Sequence, residues 1–288
     1  MPTEINALIA DARRRFRAAG IESGEAALDS RLLAQRLLGW DAARLMTHGD
    51  EAAPADFARD YEGLVARRAF REPLAYITGS REFWNLDIEV TPAVLIPRQE
   101  TELLIEIALE HFDHAQPLRI LDVCTGSGCL AVGLGREFPK ATLVASDISQ
   151  DALDVARRNL ARYGVSARTK FLRTDLLDGI DGPFDLIVSN PPYVPTADAH
   201  GLQPEVRDYE PPAALFAGED GLHIVRRLVV QAAAALARDG IFVFEFGAGQ
   251  DKVVAALVEA VPSLTLLDVK HDLQDIPRAA VARKTSRT

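Results

Sequence analysis

The stretch Ile120-Leu121-Asp122-Val123-Cys124-Thr125-Gly126-Ser127-Gly128 decides the fold. Its first residues read as a buried strand, which breaks into a glycine turn before a helical pattern over 128–138. Glycine lets the backbone turn sharply and approach a ligand where a Cβ would intrude. Outward from this point strand and helix readings alternate. Strands are predicted at 119–123, 142–146, 170–173, 185–189 and 241–246, with helices at 128–138, 151–163, 221–237 and 251–261. Such alternation predicts a doubly wound, largely parallel sheet with helices on both faces. The last two strands, 264–270 and 279–283, lack a long crossover and predict an antiparallel hairpin.

The N-terminal part has a different period. Ile5, Leu8, Ile9, Ala12 and Phe16 recur at three- and four-residue spacing and give one apolar helical stripe. Gly20 ends that helix, Ser23 is the expected cap of the next, and Leu28, Leu32, Leu33 and Leu37 are its expected buried side. A third helical pattern runs over 56–71. Leu86, Ile88 and Val90 then alternate with Asp87 and Glu89, predicting a strand over 83–90, a turn at Thr91-Pro92 and a return strand at Val94-Leu95-Ile96. Three parts are expected: a helical substrate-recognition domain over 1–80, a β-hairpin linker over 81–97, and the α/β domain over 98–288.

Composition narrows the function classes. Hydrophobic residues make up 48% and charged residues 26% of the 288, an ordinary globular balance with no membrane-length apolar run. Met1-Pro2-Thr3-Glu4 does not open a secretory signal. The two cysteines, Cys124 and Cys129, are too few for a disulfide framework and have no zinc spacing. They fit small core residues in a reducing cytoplasm, and no metal is expected. With 42 acidic against 32 basic residues the net charge is -10, which argues against nucleic acid as the main partner.

The glycine turn takes its meaning from Asp147, at the end of the second α/β strand. An acid at that place can accept hydrogen bonds from both hydroxyls of a ribose. The dinucleotide pattern G-x-G-x-x-G is not met, because Gly133 is out of register, and no Walker lysine follows. S-adenosylmethionine, with no phosphate to cradle, fits the turn and the acid. Asp175 and Leu176, after the third strand, are candidates for the adenine amino group and ring; a helix cap is the structural alternative for Asp175.

The chemical end is Asn190-Pro191-Pro192-Tyr193, directly after the fourth strand. The Asn190 side-chain oxygen and the Pro191 carbonyl can accept from a substrate N–H, and two prolines stiffen the loop that carries them. Tyr193 can stack on a planar group. An amide nitrogen is a poor nucleophile, and two fixed acceptors on its N–H bonds would orient it and favour charge developing there. Methyl transfer to nitrogen follows from the two ends together. Glu245 can line the site or serve the structure, and the proline-rich stretch 196–218 is long enough to be a substrate lid.

The chain resembles the HemK-type peptide chain release factor glutamine methyltransferases (the PrmC family). The likeness runs through Pro73–Gly79, Glu82-Phe83, Leu95-Ile96-Pro97-Arg98-Gln99-Glu100-Thr101-Glu102, 122–128, Asp147, 189–193, Glu210-Pro211, Gly218, Asp220-Gly221-Leu222 and Glu245-Phe246-Gly247. Asn-Pro-Pro-Tyr alone is shared with nucleic-acid amino-methyltransferases, whereas the Ile96–Glu102 stretch is far more specific. The resemblance implies an S-adenosylmethionine-dependent, Rossmann-like methyltransferase fold with an N-terminal helical bundle and a linking hairpin. It implies N5-methylation of the glutamine in the Gly-Gly-Gln loop of bacterial release factors. Cofactor residues would be Cys124, Thr125, Gly126, Ser127, Gly128, Asp147, Leu176 and Asn190, and the substrate glutamine would sit on Asn190, Pro191, Pro192 and Tyr193. A cytoplasmic monomer that touches neither membrane nor nucleic acid is expected. Cys124 stands where the family has glycine, Leu176 where some members have an aromatic, and Gln99 where proline is common. The alternatives are an adenine-N6 methyltransferase, which would have to capture an extruded base, a ribosomal-protein glutamine methyltransferase, and a non-catalytic binder on the same scaffold.

Overall fold

A computed structural model describes residues 4–285. Met1–Thr3, most of the segment read for a secretory signal, lie outside the described residues. Contacts divide the chain into two compact units. One runs up to Gly79 and includes Gln203–Tyr209; the other comprises Ser80–Leu202 and the chain from Glu210 onward.

The first unit is helical: α1 (Ile5–Ala18), α2 (Ser23–Leu38), α3 (Ala42–His48), α4 (Phe57–Ala69) and α5 (Leu74–Thr78). Its core joins Ile5, Ile9, Ala12 and Phe16 of α1, the stripe read from the sequence, to Leu33 of α2 and Tyr61 and Val65 of α4. The cap of α2 is Glu22, whose carboxylate accepts from the Gly24 and Glu25 N–H groups, so Ser23 is the first helical residue. The buried face of α2 is also rotated from the leucine stripe. Leu28 is 50% exposed, and the inner face carries Ala26, Asp29, Ser30, Leu33 and Ala34.

A charged centre causes that rotation. Arg68 of α4 is 1% exposed and donates to Asp29 at 2.7 Å, Glu205 at 2.7 Å and Glu25 at 2.8 Å. Arg71 adds a second guanidinium to Glu205 at 2.5 Å. Against the desolvation of burial, these two arginines hold the Glu205 carboxyl below its usual range. Residues 203–209 are thereby fastened to the helices, and the Tyr209 hydroxyl donates to the Phe70 carbonyl at 2.7 Å.

The second unit opens with a hairpin, β1 (Ser80–Phe83) and β2 (Leu86–Glu89). The expected return strand over 94–96 is absent, because the chain reverses earlier, at Trp84-Asn85. Both residues take left-handed backbone, with φ 52° and 55°, as a tight two-residue hairpin turn requires. Phe83 and Ile88 are buried in the same core as Leu104, Leu130 and Leu134, so the hairpin is packed into this unit.

After α6 (Leu103–His111) the alternation runs as read: β3 (Arg119–Val123), α7 (Cys129–Glu137), β4 (Thr142–Asp147), α8 (Gln150–Arg162), β5 (Thr169–Arg173), β6 (Phe184–Ser189). Beyond the short helix α9 (Pro204–Tyr209) come α10 (His223–Ala235), β7 (Leu236–Glu245), α11 (Asp251–Glu259), β8 (Leu264–His271) and β9 (Pro277–Lys284). The seven strands order as β5-β4-β3-β6-β7-β9-β8, parallel through β7, with β9 antiparallel to both its neighbours. Strand order reverses between β3 and β6, the switch point at which doubly wound sheets bind ligands.

Register then does the positioning. Val123 of β3 lies opposite Ser146 of β4 and Ser189 of β6, and Ser189 lies opposite Phe244 of β7. The next residue on each strand is Cys124, Asp147, Asn190 and Glu245. Four groups remote in sequence therefore stand in one row along the carboxyl edge of the sheet.

Candidate active site

The glycine turn after β3 is strained and held from below. Cys124, Gly126 and Gly128 have φ of 59°, 54° and 79°. Cysteine is costly there by roughly 1–2 kcal/mol, which glycine would avoid. At Gly128 an added Cβ would meet Leu160 Cδ1 at 2.7 Å and the backbone of Ala156 at 3.1 Å, so α8 is packed against bare glycine. Buried Asn159 of α8 ties the turn to the hairpin. It donates to the Ser127 carbonyl at 2.8 Å and the Glu89 carbonyl at 2.9 Å and accepts from the Glu89 N–H at 2.8 Å. Nothing in the local sequence pattern marked Asn159, because both its partners are distant in the chain.

Asp147 faces this turn. One carboxylate oxygen accepts from the Gly126 N–H and the other from the Ser149 N–H, each at 2.9 Å. Burial raises its pKa, opposed by these backbone donors. Each oxygen keeps a lone pair for a further donor.

Asp122 lies beneath, fully buried. Its Oδ2 accepts from the Thr125 hydroxyl at 2.6 Å and the Ala131 N–H at 3.2 Å, and its Oδ1 has no partner. Burial lifts this carboxyl to about 7. Because the folded value exceeds the unfolded one, the native state holds the extra proton between about pH 4 and 7. This group's contribution to stability is complete below that window and is lost as pH rises through it, by roughly 1.4 kcal/mol per pH unit. Asp122→Asn removes that slope. Urea unfolding of both proteins without cofactor, at pH 5 and pH 7.5, is expected to show the wild type losing ground to the variant at the higher pH. Parallel profiles would sink the assignment.

A cleft with about 850 Å³ of atom-free space opens over this edge. It is lined by Cys124, Thr125, Gly126, Ser127, Asp147, Asn190 and Pro192 among the predicted residues, and also by Val94, Leu95, Pro97, Arg98, Thr101, Ile148 and Pro211. Its walls are braced by Glu210, which accepts from Arg98 at 2.6 Å and from the Ile96 N–H at 3.2 Å. Burial lifts the Glu210 carboxyl, against the pull of Arg98.

Asn190 sits in the cleft with one end of its carboxamide fixed. Its Nδ2 donates to the Thr101 hydroxyl at 2.9 Å, and that hydroxyl donates to Glu245 at 2.6 Å. Its Oδ1 is buried with no hydrogen-bond partner. A buried acceptor left open is costly unless something fills it.

Other predicted residues lie elsewhere. Asp175 is outside the cleft lining, its carboxylate held by Arg227 at 2.7 Å. Leu176 is buried in the core with Leu121 and Val123, turned inward by a left-handed backbone of φ 53°. Tyr193, expected to stack on the substrate, donates its hydroxyl to Glu245 at 2.9 Å. Gly128, Pro191 and Tyr193 are absent from the lining, and Pro191 is buried. The connector over 196–218 is built rather than slack. It carries 3-10 turns at Thr196–Gly201 and Pro212–Ala214 around α9, and Val194 pairs with Phe216 at its base. Among the described residues no cluster of acidic, His or Cys side chains suits a metal, and no helix is long and apolar enough to cross a membrane.

Residues 7–79 match the family model described as the PrmC N-terminal domain, and residues 99–202 match the methyltransferase small domain. The release factor glutamine methyltransferase of Koribacter versatilis is 42% identical over 259 residues, covering 89% of this chain and 91% of the relative. That of Bradyrhizobium diazoefficiens is 41% identical over 280 residues, covering 94% and 91%. In fold, a methyltransferase from Pyrococcus furiosus superposes with a TM-score of 0.53 at 19% identity, covering 77% of this chain and 99% of that one.

Proposed function

The chain belongs to the release factor glutamine methyltransferases, and from that premise we propose that Cys124–Gly128 and Asp147 hold S-adenosylmethionine while Asn190 receives the substrate amide. The enzyme transfers a methyl group from S-adenosylmethionine to a release factor glutamine. Its target within the factor is the glutamine of the Gly-Gly-Gln loop, methylated on N5.

One observation carries the site assignment: Asn190 Oδ1, buried and unpartnered, at the switch point beside the glycine turn. It is an acceptor awaiting a donor, and a carboxamide N–H is such a donor. When bound, S-adenosylmethionine supplies a methyl group activated by a positive sulfonium. Gly126 leaves room for its close approach, since an added Cβ would meet no atom nearer than 4.0 Å. The Asp147 carboxylate would take the ribose hydroxyls. Asn190 Oδ1 and the Pro191 carbonyl would hold the two N–H bonds, directing the nitrogen at the methyl. One N–H proton leaves to solvent once the N–C bond has formed, so no general base is required.

Purified enzyme with labelled S-adenosylmethionine and a release factor tests the reading. Label on the wild-type factor, and none on a factor whose Gly-Gly-Gln glutamine is alanine, is the expected outcome. Label on both would overturn the target residue, and label on neither would overturn the substrate. The net charge of -10 and the family together support a protein substrate over nucleic acid, and a monomer acting in the cytoplasm, where release factors work. Asp147→Ala is expected to weaken S-adenosylmethionine binding by roughly 1.5–3 kcal/mol, the worth of hydrogen bonds to a charged group. An unchanged Kd by calorimetry would remove the ribose assignment.

A further inference from the structure

An asparagine carboxamide is nearly symmetric in shape, so packing alone does not decide which end faces the substrate. Oxygen outward offers the acceptor that a substrate N–H needs; nitrogen outward offers a second donor and repels it. The decision lies behind Asn190, in a chain of hydrogen bonds. Glu245 is 1% exposed and takes the Tyr193 hydroxyl on one oxygen at 2.9 Å and the Thr101 hydroxyl on the other at 2.6 Å. Thr101 has a single hydroxyl proton and gives it to Glu245. Toward Asn190 it can therefore present only a lone pair, which admits Nδ2 at 2.9 Å and sends Oδ1 outward.

We propose that Thr101 and Glu245 are positioning residues, a hydrogen-bond relay that sets the Asn190 carboxamide with its oxygen toward the substrate. The relay rests on the assignment of Asn190 as the substrate's acceptor. It also gives a task to two segments picked out in the sequence, the Thr101 of Ile96–Glu102 and the Glu245 of Glu245-Phe246-Gly247, which lie 144 residues apart. Neither side chain need touch the methyl group or the reacting nitrogen. Each acts through Asn190.

The relay has a polarity, and Glu245→Gln reverses it. A carboxylate only accepts, whereas glutamine satisfies the Tyr193 hydroxyl proton only by turning its Oε1 to Tyr193, which brings its NH2 as a donor to Thr101. Thr101 then turns its proton to Asn190, which must offer Oδ1 inward and show Nδ2 to the cleft. The hydrogen bonds among Tyr193, residue 245, Thr101 and the inner end of Asn190 are all kept, so the fold is retained. The variant is expected to be at least as stable as wild type, because a buried carboxylate has become neutral, and to bind S-adenosylmethionine with unchanged Kd. Its kcat is expected to fall by about 100-fold. Thr101→Val, which unpins the carboxamide without inverting it, is expected to lose about 10-fold, and Thr101→Ser to stay within about 3-fold of wild type. A purely structural role gives the opposite order, with the near-isosteric Glu245→Gln the milder change. Glu245→Gln turning over within about 3-fold of wild type, or losing stability and cofactor affinity in parallel, would overturn the relay.

A second readout needs no substrate. The Asn190 side-chain amide protons, followed by NMR hydrogen exchange, are expected to be protected by Thr101 in the wild type and to exchange faster in Glu245→Gln. Equal protection would overturn the relay, whereas wild-type enzyme that leaves release factors unlabelled would overturn only the substrate assignment.

Discussion

Asn190→Ala is expected to reduce kcat for release factor methylation by roughly 10²–10³-fold, the loss typical when one preorganised hydrogen-bonding group is removed from a site of developing charge. Cofactor affinity should stay close to wild type, because Asp147 and the turn over 124–128 are untouched. The fold should tolerate the change as well. The Thr101 hydroxyl keeps its bond to Glu245, and Asn190 Oδ1, a buried atom without a partner, leaves with the side chain. An equal fall in kcat and kcat/KM would identify an interaction made in the transition state; a rise in KM alone would mean ground-state binding only. Single-turnover assays beside calorimetric titration of S-adenosylmethionine separate these cases. Turnover near wild type would end the acceptor assignment.

Arg68→Met is expected to destabilise the helical unit by roughly 3–5 kcal/mol, because it strands carboxylates that burial has already desolvated. Methionine fills much of the volume but leaves Asp29 without its cation and Glu205 with Arg71 alone; the two carboxylate side chains are 4% and 10% exposed. Both carboxyl pKa values then rise. The deficit is full at pH 7 and shrinks toward pH 4.5, where the stranded acids can protonate. The two tryptophans make the measurement local, since Trp40 lies in the helical unit and Trp84 in the other. In a Trp84→Phe background, urea unfolding followed by Trp40 fluorescence reads the unit that holds Arg68. A deficit below about 1 kcal/mol, or one that does not change with pH, would show that the buried centre does not hold this unit together.

What the sequence revealed and what it hid divide along the range of the interactions. The β3 turn, Asp147 and Asn190 were legible because strand ends, glycine and proline are local signals, and parallel topology brings strand ends to one edge. The hairpin was misplaced because Trp84-Asn85 is not the glycine-bearing pair that usually marks a two-residue turn. The leucine stripe of α2 misled because periodicity assumes an apolar interior, whereas Asp29 faces inward to Arg68, 39 residues along the chain. Leu176, expected against the adenine from its place after β5, has left-handed backbone and packs with Leu121 and Val123. Tyr193 carries a polar tip that the pattern could not aim, and Glu245 receives it. Asn159, Thr101 and Glu245 are tertiary devices, visible only when partners distant in sequence meet.

The capture of residues 203–209 by the helical unit has a consequence for biosynthesis. The helical unit is not complete when its five helices up to Gly79 have been made. Arg68 emerges from the ribosome 137 residues before Glu205, a wait of roughly ten seconds at bacterial elongation rates. Until then the helices are a bundle with one carboxylate missing from its charged centre. Completion of the amino-terminal unit is thus timed by translation of strands β3 to β6 and of the Asn190 loop. For the same reason, removing residues 1–79 does not excise a module; it leaves Glu205 in the remaining chain without the arginines that hold it.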